Sequence, residues 1–180
     1  LIDVDTSWLL VAHIDETISF VKAPTPRGWV MLVNDARLAK KMLEDAVKAG
    51  KGDTPMFVGK SWVDFDSGEE TPAEISISEV LADTEVMKAS AEAAAEVDAQ
   101  VAILKKEIGL TDDEIIPVPF LHTTYAGKSA AYQPGTVNGI YISDTRFGAP
   151  DPHGPTIDGK DIFKTALSAP LAKIGVTVDF

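Results

Sequence analysis

The sequence predicts an α/β fold, and three observations carry that expectation. Apolar, strand-like runs alternate with helix-length amphipathic stretches, the long helical stretches have caps and stops, and no clear linker divides the 180 residues into two compact halves. Alternation of this kind places at least some strands in parallel pairs, because a helix between two strands returns the chain in the same direction.

Taken in order, Trp8-Leu-Leu-Val-Ala-His-Ile14 reads as a buried strand and residues 18–22 as a second, with Ala23-Pro-Thr-Pro-Arg-Gly28 as the turn that follows. Residues 29–33 form a third strand. Asn34 or Asp35 then caps a helix running to about Ala49, with Leu38, Met42, Leu43 and Val47 at helical spacing and Gly50 as the stop. Residues 51–72 are rich in Gly, Asp and Pro and read as loop, with a short strand at 56–58; the wider stretch 51–82 reads as a variable loop, lid or insertion. Asp83 or Thr84 opens a long helix to about Ile108, its buried stripe marked by Val86, Ala93, Val97, Val101 and Leu104 and its end by Gly109. Thr111 to Glu114 is a second cap or turn, and the prolines of Ile115-Ile-Pro-Val-Pro-Phe-Leu121 predict an edge or irregular strand. A loop follows, then a strand at 136–143, a Pro/Gly-rich connection at 146–158, a helix at 160–173 bent near Pro170, and a last strand after Ile174.

The composition, 45% hydrophobic and 24% charged, is that of a globular chain. A net charge of -12 argues against nucleic acid and membrane surfaces as partners, since both need clustered Lys and Arg. It suits cationic substrates, although an acidic surface also serves solubility. Cysteine is absent, so disulfides, thiolate metal sites and a thiol nucleophile are excluded within these residues. No apolar run approaches the roughly 20 residues that span a bilayer, and no signal peptide opens the chain, which favours a cytoplasmic location. Leu1 starts inside a strand-like pattern without an initiator Met and Val176-Thr-Val-Asp-Phe180 ends on an unfinished strand, as a piece of a longer protein would.

Chemistry concentrates in Asp5-Thr-Ser-Trp-Leu-Leu-Val-Ala-His-Ile-Asp-Glu16. In an extended chain His13 and Asp15 project from one face. His13 reads either as a hydrogen-bonded core histidine or, paired with a carboxylate at a strand end, as a general acid and base. His122 and His153 fall in loop-like sequence without metal-ligand spacing. The acidic run Asp64, Asp66, Glu69 and Glu70 lacks the calcium-loop pattern and reads as a solvated loop. Neither Gly148-Ala-Pro-Asp-Pro-His-Gly154 nor Pro134-Gly-Thr-Val-Asn-Gly139 has the strand, glycine and helix order of a phosphate loop, and both read as turns.

The segment from Asp5 to Glu16 closely resembles the D-T-x-W-L-x-V-G-H-V-D-E region of the protein-arginine deiminases. Three later blocks occur in the same order. Leu104-Lys-Lys-Glu-Ile-Gly-Leu with Asp113-Glu-Ile-Ile-Pro117 is similar to their L-L-K-R-E-L-G-L…D-I-I-x-I-P, Pro134-Gly-Thr-Val-Asn-Gly139 to their Pro-Asn-x-Val-Asn, and Pro152-His-Gly-Pro-Thr-Ile-Asp-Gly159 to their Pro-Phe-Gly-Pro-Val-Ile-Asn-Gly. Residues 51–82 are the least similar.

The resemblance implies that residues 1–180 are part of a catalytic domain with the pentein fold, an incomplete α/β propeller of about three of five strand-helix modules. It implies hydrolysis of peptidyl-arginine to citrulline and ammonia, with His13 as acid and base and Asp15 as one of two carboxylates holding the guanidinium. The other aspartate would precede Leu1 and the nucleophilic cysteine would follow Phe180, so a complementary segment or chain is an expected partner and the chain alone is expected to be inactive. No cofactor is expected in these residues; mammalian-type members of the family are activated by calcium, but the resemblance places most of the ligands before Leu1, so it leaves calcium dependence open for this chain. Ala12 stands where the family usually has Gly and Thr17 where an aromatic is common, departures expected to alter the pocket wall. The rival readings are another guanidino-group hydrolase of the same superfamily and a non-catalytic binding module of the same fold.

Overall fold

Two short strands, β1 (Ile18–Lys22) and β2 (Trp29–Asp35), pair antiparallel across the proline-containing turn the sequence predicts. Asp35 ends β2 and caps α1 (Ala36–Lys48), its carboxylate accepting the Leu38 N–H at 2.9 Å. This description comes from a computed structural model covering residues 1–64 and 67–180.

The stretch 51–82 is folded and only partly a loop. Here β3 (Pro55–Met56) pairs with β6 (Ile75–Ser76), and β4 (Ser61–Val63) with β5 (Glu70–Pro72), before α2 (Ile77–Ala82) begins on the Ser76 and Glu79 capping box. Met56, Phe57, Ala73, Ile77 and Val80 bury themselves against Ala39, Leu43 and Ala46 of α1, so the segment contributes to a core and does not merely cover one. Of the acidic run, Asp64, Glu69 and Glu70 border or form this hairpin, and Asp66 lies outside the described residues.

Asp83 caps the long helix α3 (Thr84–Ile108), accepting from Glu85 and Val86, and Gly109 closes it in the left-handed conformation that glycine tolerates. Arg27 reaches that end, donating to the Gly109 carbonyl at 2.7 Å and to Glu114 at 2.6 Å, which ties the first turn to the helix. A 3-10 turn at Asp112–Glu114 leads into β7 (Ile115–Pro119), which lies parallel to β2 at the edge of the sheet β1-β2-β7. The Phe120 N–H donates to Asp35 O while the Pro119 carbonyl accepts from Gln133, so odd-numbered β7 positions face away from β2. Pro117 and Pro119 therefore sit where a missing N–H breaks no ladder bond.

The predicted loop after β7 is instead a hairpin of β8 (His122–Tyr125) and β9 (Lys128–Ala131), turned at Ala126-Gly127 with positive φ at both residues. The predicted strand at 136–143 shrinks to β10 (Ile140–Ser143). The connection at 146–158 contains β11 (Arg146–Gly148) and β12 (Thr156–Ile157), the latter paired with β13 (Lys160–Asp161). Helix α4 (Ile162–Lys173) holds Pro170 in its last turn, and β14 (Thr177–Asp179) runs parallel to β11.

Both faces of β1-β2-β7 are covered. Val21, Val30, Leu32 and Val118 pack with Leu167 and Leu171 of α4, while Ile18, Met31 and Val33 pack with Val97 of α3 and Leu110. Burial on both sides is why residues 30–33 read as an unbroken apolar run. The mixed α/β class and the parallel pairings match expectation, and the described strands form small open sheets. Among the described residues no helix is long and apolar enough to cross a membrane.

Candidate functional site

The segment read as a strand at 8–14 is a sequence of turns. The Asp5 carboxylate accepts the Ser7 N–H at 2.8 Å, and Trp8 closes back with its indole N–H on the Asp5 carbonyl at 3.2 Å. Only Leu9 is buried in strand-like contact. There Leu10 N–H donates to Ser129 O at 2.8 Å and Ser129 N–H to Trp8 O at 2.9 Å, fastening the segment to β9. Ala12 then takes a φ of 60°, and the chain enters a 3-10 turn at Ile14–Glu16 with His13 as its N-cap. The Glu16 carboxylate accepts the His13 N–H at 2.9 Å, and Glu16 N–H donates to the His13 carbonyl at 3.2 Å. A strand would have aligned His13 with Asp15; with about three residues per turn, positions two apart diverge instead. Local bonding of this kind outweighs the apolar pattern because beyond the Leu10 N–H the segment has no strand partner among the described residues, and residues 10–14 remain exposed.

Two buried amides hold the turn from behind. Gln100 of α3 donates to the Asp5 carbonyl at 2.8 Å and accepts from the Thr17 hydroxyl at 2.9 Å, spanning the segment that carries His13. Asn34 of β2 donates through its backbone to Thr17 O at 2.9 Å and through its side chain to the Glu16 carbonyl.

In front of the turn lies a cavity of about 160 Å³. Leu9, Val11, Phe120, Ala131 and Gly135 supply apolar wall, and His13, Glu16, His122 and Asn138 bring polar groups to it. His13 is exposed at one side; His122, at the start of β8, is 2% exposed. The His122 imidazole packs edge-to-face on Phe120 at 4.7 Å and tilted beside Trp8 at 5.9 Å, with Nδ1 2.9 Å from the Ser129 hydroxyl. Burial lowers its pKa from 6.5 to about 4, so the ring is neutral at physiological pH.

Comparison with known proteins identifies the family. The family model for protein-arginine deiminase (PAD) matches residues 1–180. The chain belongs to the protein-arginine deiminase family. It is 30% identical over 179 residues to human protein-arginine deiminase type-3, covering 99% of this chain and 26% of that protein. It is 28% identical over 180 residues to the rat type-3 protein, covering 100% of this chain and 26% of that one, and 28% identical over 180 residues to rat type-4. The chain thus spans about a quarter of the length of the curated relatives it matches.

Within this deiminase-family chain, His13 is on the cavity and Asp15 is not; Asp15 stands exposed on the adjoining turn, and Glu16 is the carboxylate that lines the cavity. Thr17, expected to alter the pocket wall, is buried beneath the turn and bonded to Gln100, so its hydroxyl acts on turn position. Ala12 adopts the backbone conformation that glycine takes without strain, which gives a physical reason for glycine at this place in the family pattern. The sequence places His122 in a predicted loop with no site role, whereas the structure puts it at the start of β8 on the cavity. The available signal was Tyr125-Ala-Gly-Lys128, a two-residue hairpin turn between alternating residues. His153 lies elsewhere, with Nδ1 3.3 Å from the Asp151 carboxylate, which Lys164 also meets at 2.6 Å.

Proposed function

We propose that this chain supplies the His13 and Asp15 portion of a protein-arginine deiminase that converts peptidyl-arginine to peptidyl-citrulline and ammonia. The observation that carries the reading is the placement of His13, the histidine of the family-like segment, at a cavity with apolar walls and polar ends. An extended alkyl chain ending in a planar cation suits such a lining. His13 is exposed at the cavity, and in this reading it protonates the departing ammonia and then takes a proton from the water that releases citrulline. Asp15 has no hydrogen-bond or ion-pair partner among the described residues, so its carboxylate is available to a guanidinium approaching the turn.

The nucleophile in this reading is a cysteine thiolate from a complementary segment following Phe180, which attacks the guanidinium carbon before ammonia leaves. The same reading makes the strand-helix units about three modules of a five-module pentein propeller, with the second guanidinium-binding aspartate also outside the chain. The second reading, a non-catalytic binding module of the same fold, holds if no cysteine-bearing segment or chain joins these residues.

Citrulline formation by the polypeptide joining this chain to a cysteine-bearing segment separates the two. His13→Ala is expected to lower kcat by about 10²–10⁴-fold while leaving the fold intact, and Asp15→Asn to raise KM as well as lower kcat. Turnover unchanged by His13→Ala would overturn the assignment. Faster turnover of free arginine than of blocked peptidyl-arginine would point to another guanidino-group hydrolase.

A further inference from the structure

The cavity that His13 lines is also lined by a second imidazole, His122, which is held from several sides. The Ser90 hydroxyl on α3 accepts the His122 N–H at 3.0 Å and lies 3.3 Å from the His122 carbonyl, fixing the main chain at the start of β8. Phe120 and Trp8 pack against the ring, and the Ser129 hydroxyl occupies Nδ1. That leaves Nε2. Among the described residues it makes no hydrogen bond, and it is not one of the sealed side-chain atoms without partners found there, Ser19 Oγ, Asn34 Oδ1 and Gln133 Oε1. The small exposed part of His122 therefore includes Nε2, and the cavity is the space the residue lines.

We infer that His122 is a specificity-determining residue of this cavity, its Nε2 lone pair accepting an N–H from the guanidinium of a bound arginine side chain. The inference rests on the guanidinium reading above and adds to it an acceptor that belongs to none of the four family-like blocks.

The chemistry follows from the partner at Nδ1. A hydroxyl accepts as readily as it donates, so Ser129 can take the Nδ1 proton and leave Nε2 unprotonated. An unprotonated nitrogen facing a cation is attractive, whereas an imidazolium there would repel it; burial keeps the ring neutral well below physiological pH. A fixed acceptor also discriminates by direction. A guanidinium directs several N–H groups in one plane, whereas the ammonium of lysine is a compact point charge on a longer flexible stem. Citrulline keeps N–H donors but loses the charge that strengthens them.

The test is a binding titration of the whole chain with Nα-benzoyl-arginine amide, the corresponding lysine, citrulline and norleucine amides serving as comparators. The expected order is arginine tightest. The ¹⁵N resonance of His122 Nε2 should be that of an unprotonated nitrogen and should shift when blocked arginine binds. His122→Phe, which keeps the ring volume and removes the acceptor, should weaken blocked arginine about tenfold and leave the norleucine compound unchanged, while His122→Gln restores part of the arginine preference. A purely structural role would weaken all four ligands together.

Equal arginine affinity in folded His122→Phe, or an Nε2 resonance unmoved at saturation, overturns the inference; the resonance decides the matter if the Phe variant does not fold. No binding of blocked arginine to the native chain also overturns it. These outcomes are distinct from failure of the deiminase reading, which is judged by citrulline formation and the His13→Ala variant.

Discussion

The two histidines that face one cavity are held in opposite ways. His13 caps a three-residue turn, is exposed, and is secured through its main chain by Glu16. His122 starts a hairpin strand, is 2% exposed, and is fixed by Ser90, Ser129, Phe120 and Trp8. An imidazole that must gain and lose a proton needs contact with solvent or substrate; one that presents a constant dipole needs shelter from both. The two proposed roles follow this difference in environment, His13 open to solvent and His122 sheltered from it.

The largest effect expected from this contrast is an acid sensitivity that belongs to His122. Its folded-state pKa of about 4 lies below the ordinary 6.5, so as pH falls the unfolded chain takes up the proton first. Stability contributed by the neutral ring is complete above 6.5 and is lost progressively until the pH reaches about 4, a loss of about 3 kcal/mol. Urea titrations between these limits should show it, and His122→Phe should flatten the profile. A profile equally steep in the variant would assign the sensitivity to other groups.

Gln100→Ala sharpens the contrast from the other side. It removes one buried and one part-buried hydrogen bond behind the His13 turn, with an expected loss of about 2 kcal/mol. Amide exchange should quicken between residues 5 and 17, whereas the β8 and β9 hairpin should stay protected. Uniform quickening across both regions would show that they are one cooperative unit. The smallest effect is expected from Ala12→Gly. Relief of the left-handed conformation, about 1–2 kcal/mol, is largely offset by the greater freedom glycine has when unfolded, about 0.5–1 kcal/mol. A rise in Tm of about 2–4 °C is the upper bound, checked by calorimetry; a fall would mean that a side chain at this position contributes packing.

Much of the fold was legible because its signals are local. Asp35 and Asp83 as caps, Gly109 as a stop, and Pro117 and Pro119 as marks of an edge strand each act through one or two neighbouring bonds, and each stands as read. The misread elements depend on distant partners. Residues 8–14 have strand composition but pair only at Leu9, through a hairpin more than a hundred positions later. The 51–82 stretch looks loop-like because its strands are two or three residues long; Met56 of β3 and Ile75 of β6 gain their place by packing in the core with α1, while β4 and β5 are exposed. At the site, the Asp-Thr-x-Trp pattern singled out His13. His122 reaches the same cavity through chain topology, and no spacing in the sequence records that approach.

The prolines of β7 have a consequence beyond their tolerance at an edge. A strand docking alongside β7 would need N–H groups directed outward at positions 117 and 119, and neither residue has one; the Pro119 carbonyl is moreover occupied by Gln133. The sheet can therefore not be lengthened on that side by another extended chain, whether a peptide ligand, a neighbouring copy or a misfolded fragment. A molecule with several short, open sheets meets its greatest hazard in runaway stacking, and here two imino acids and one amide terminate the central sheet at no loss to its own ladder.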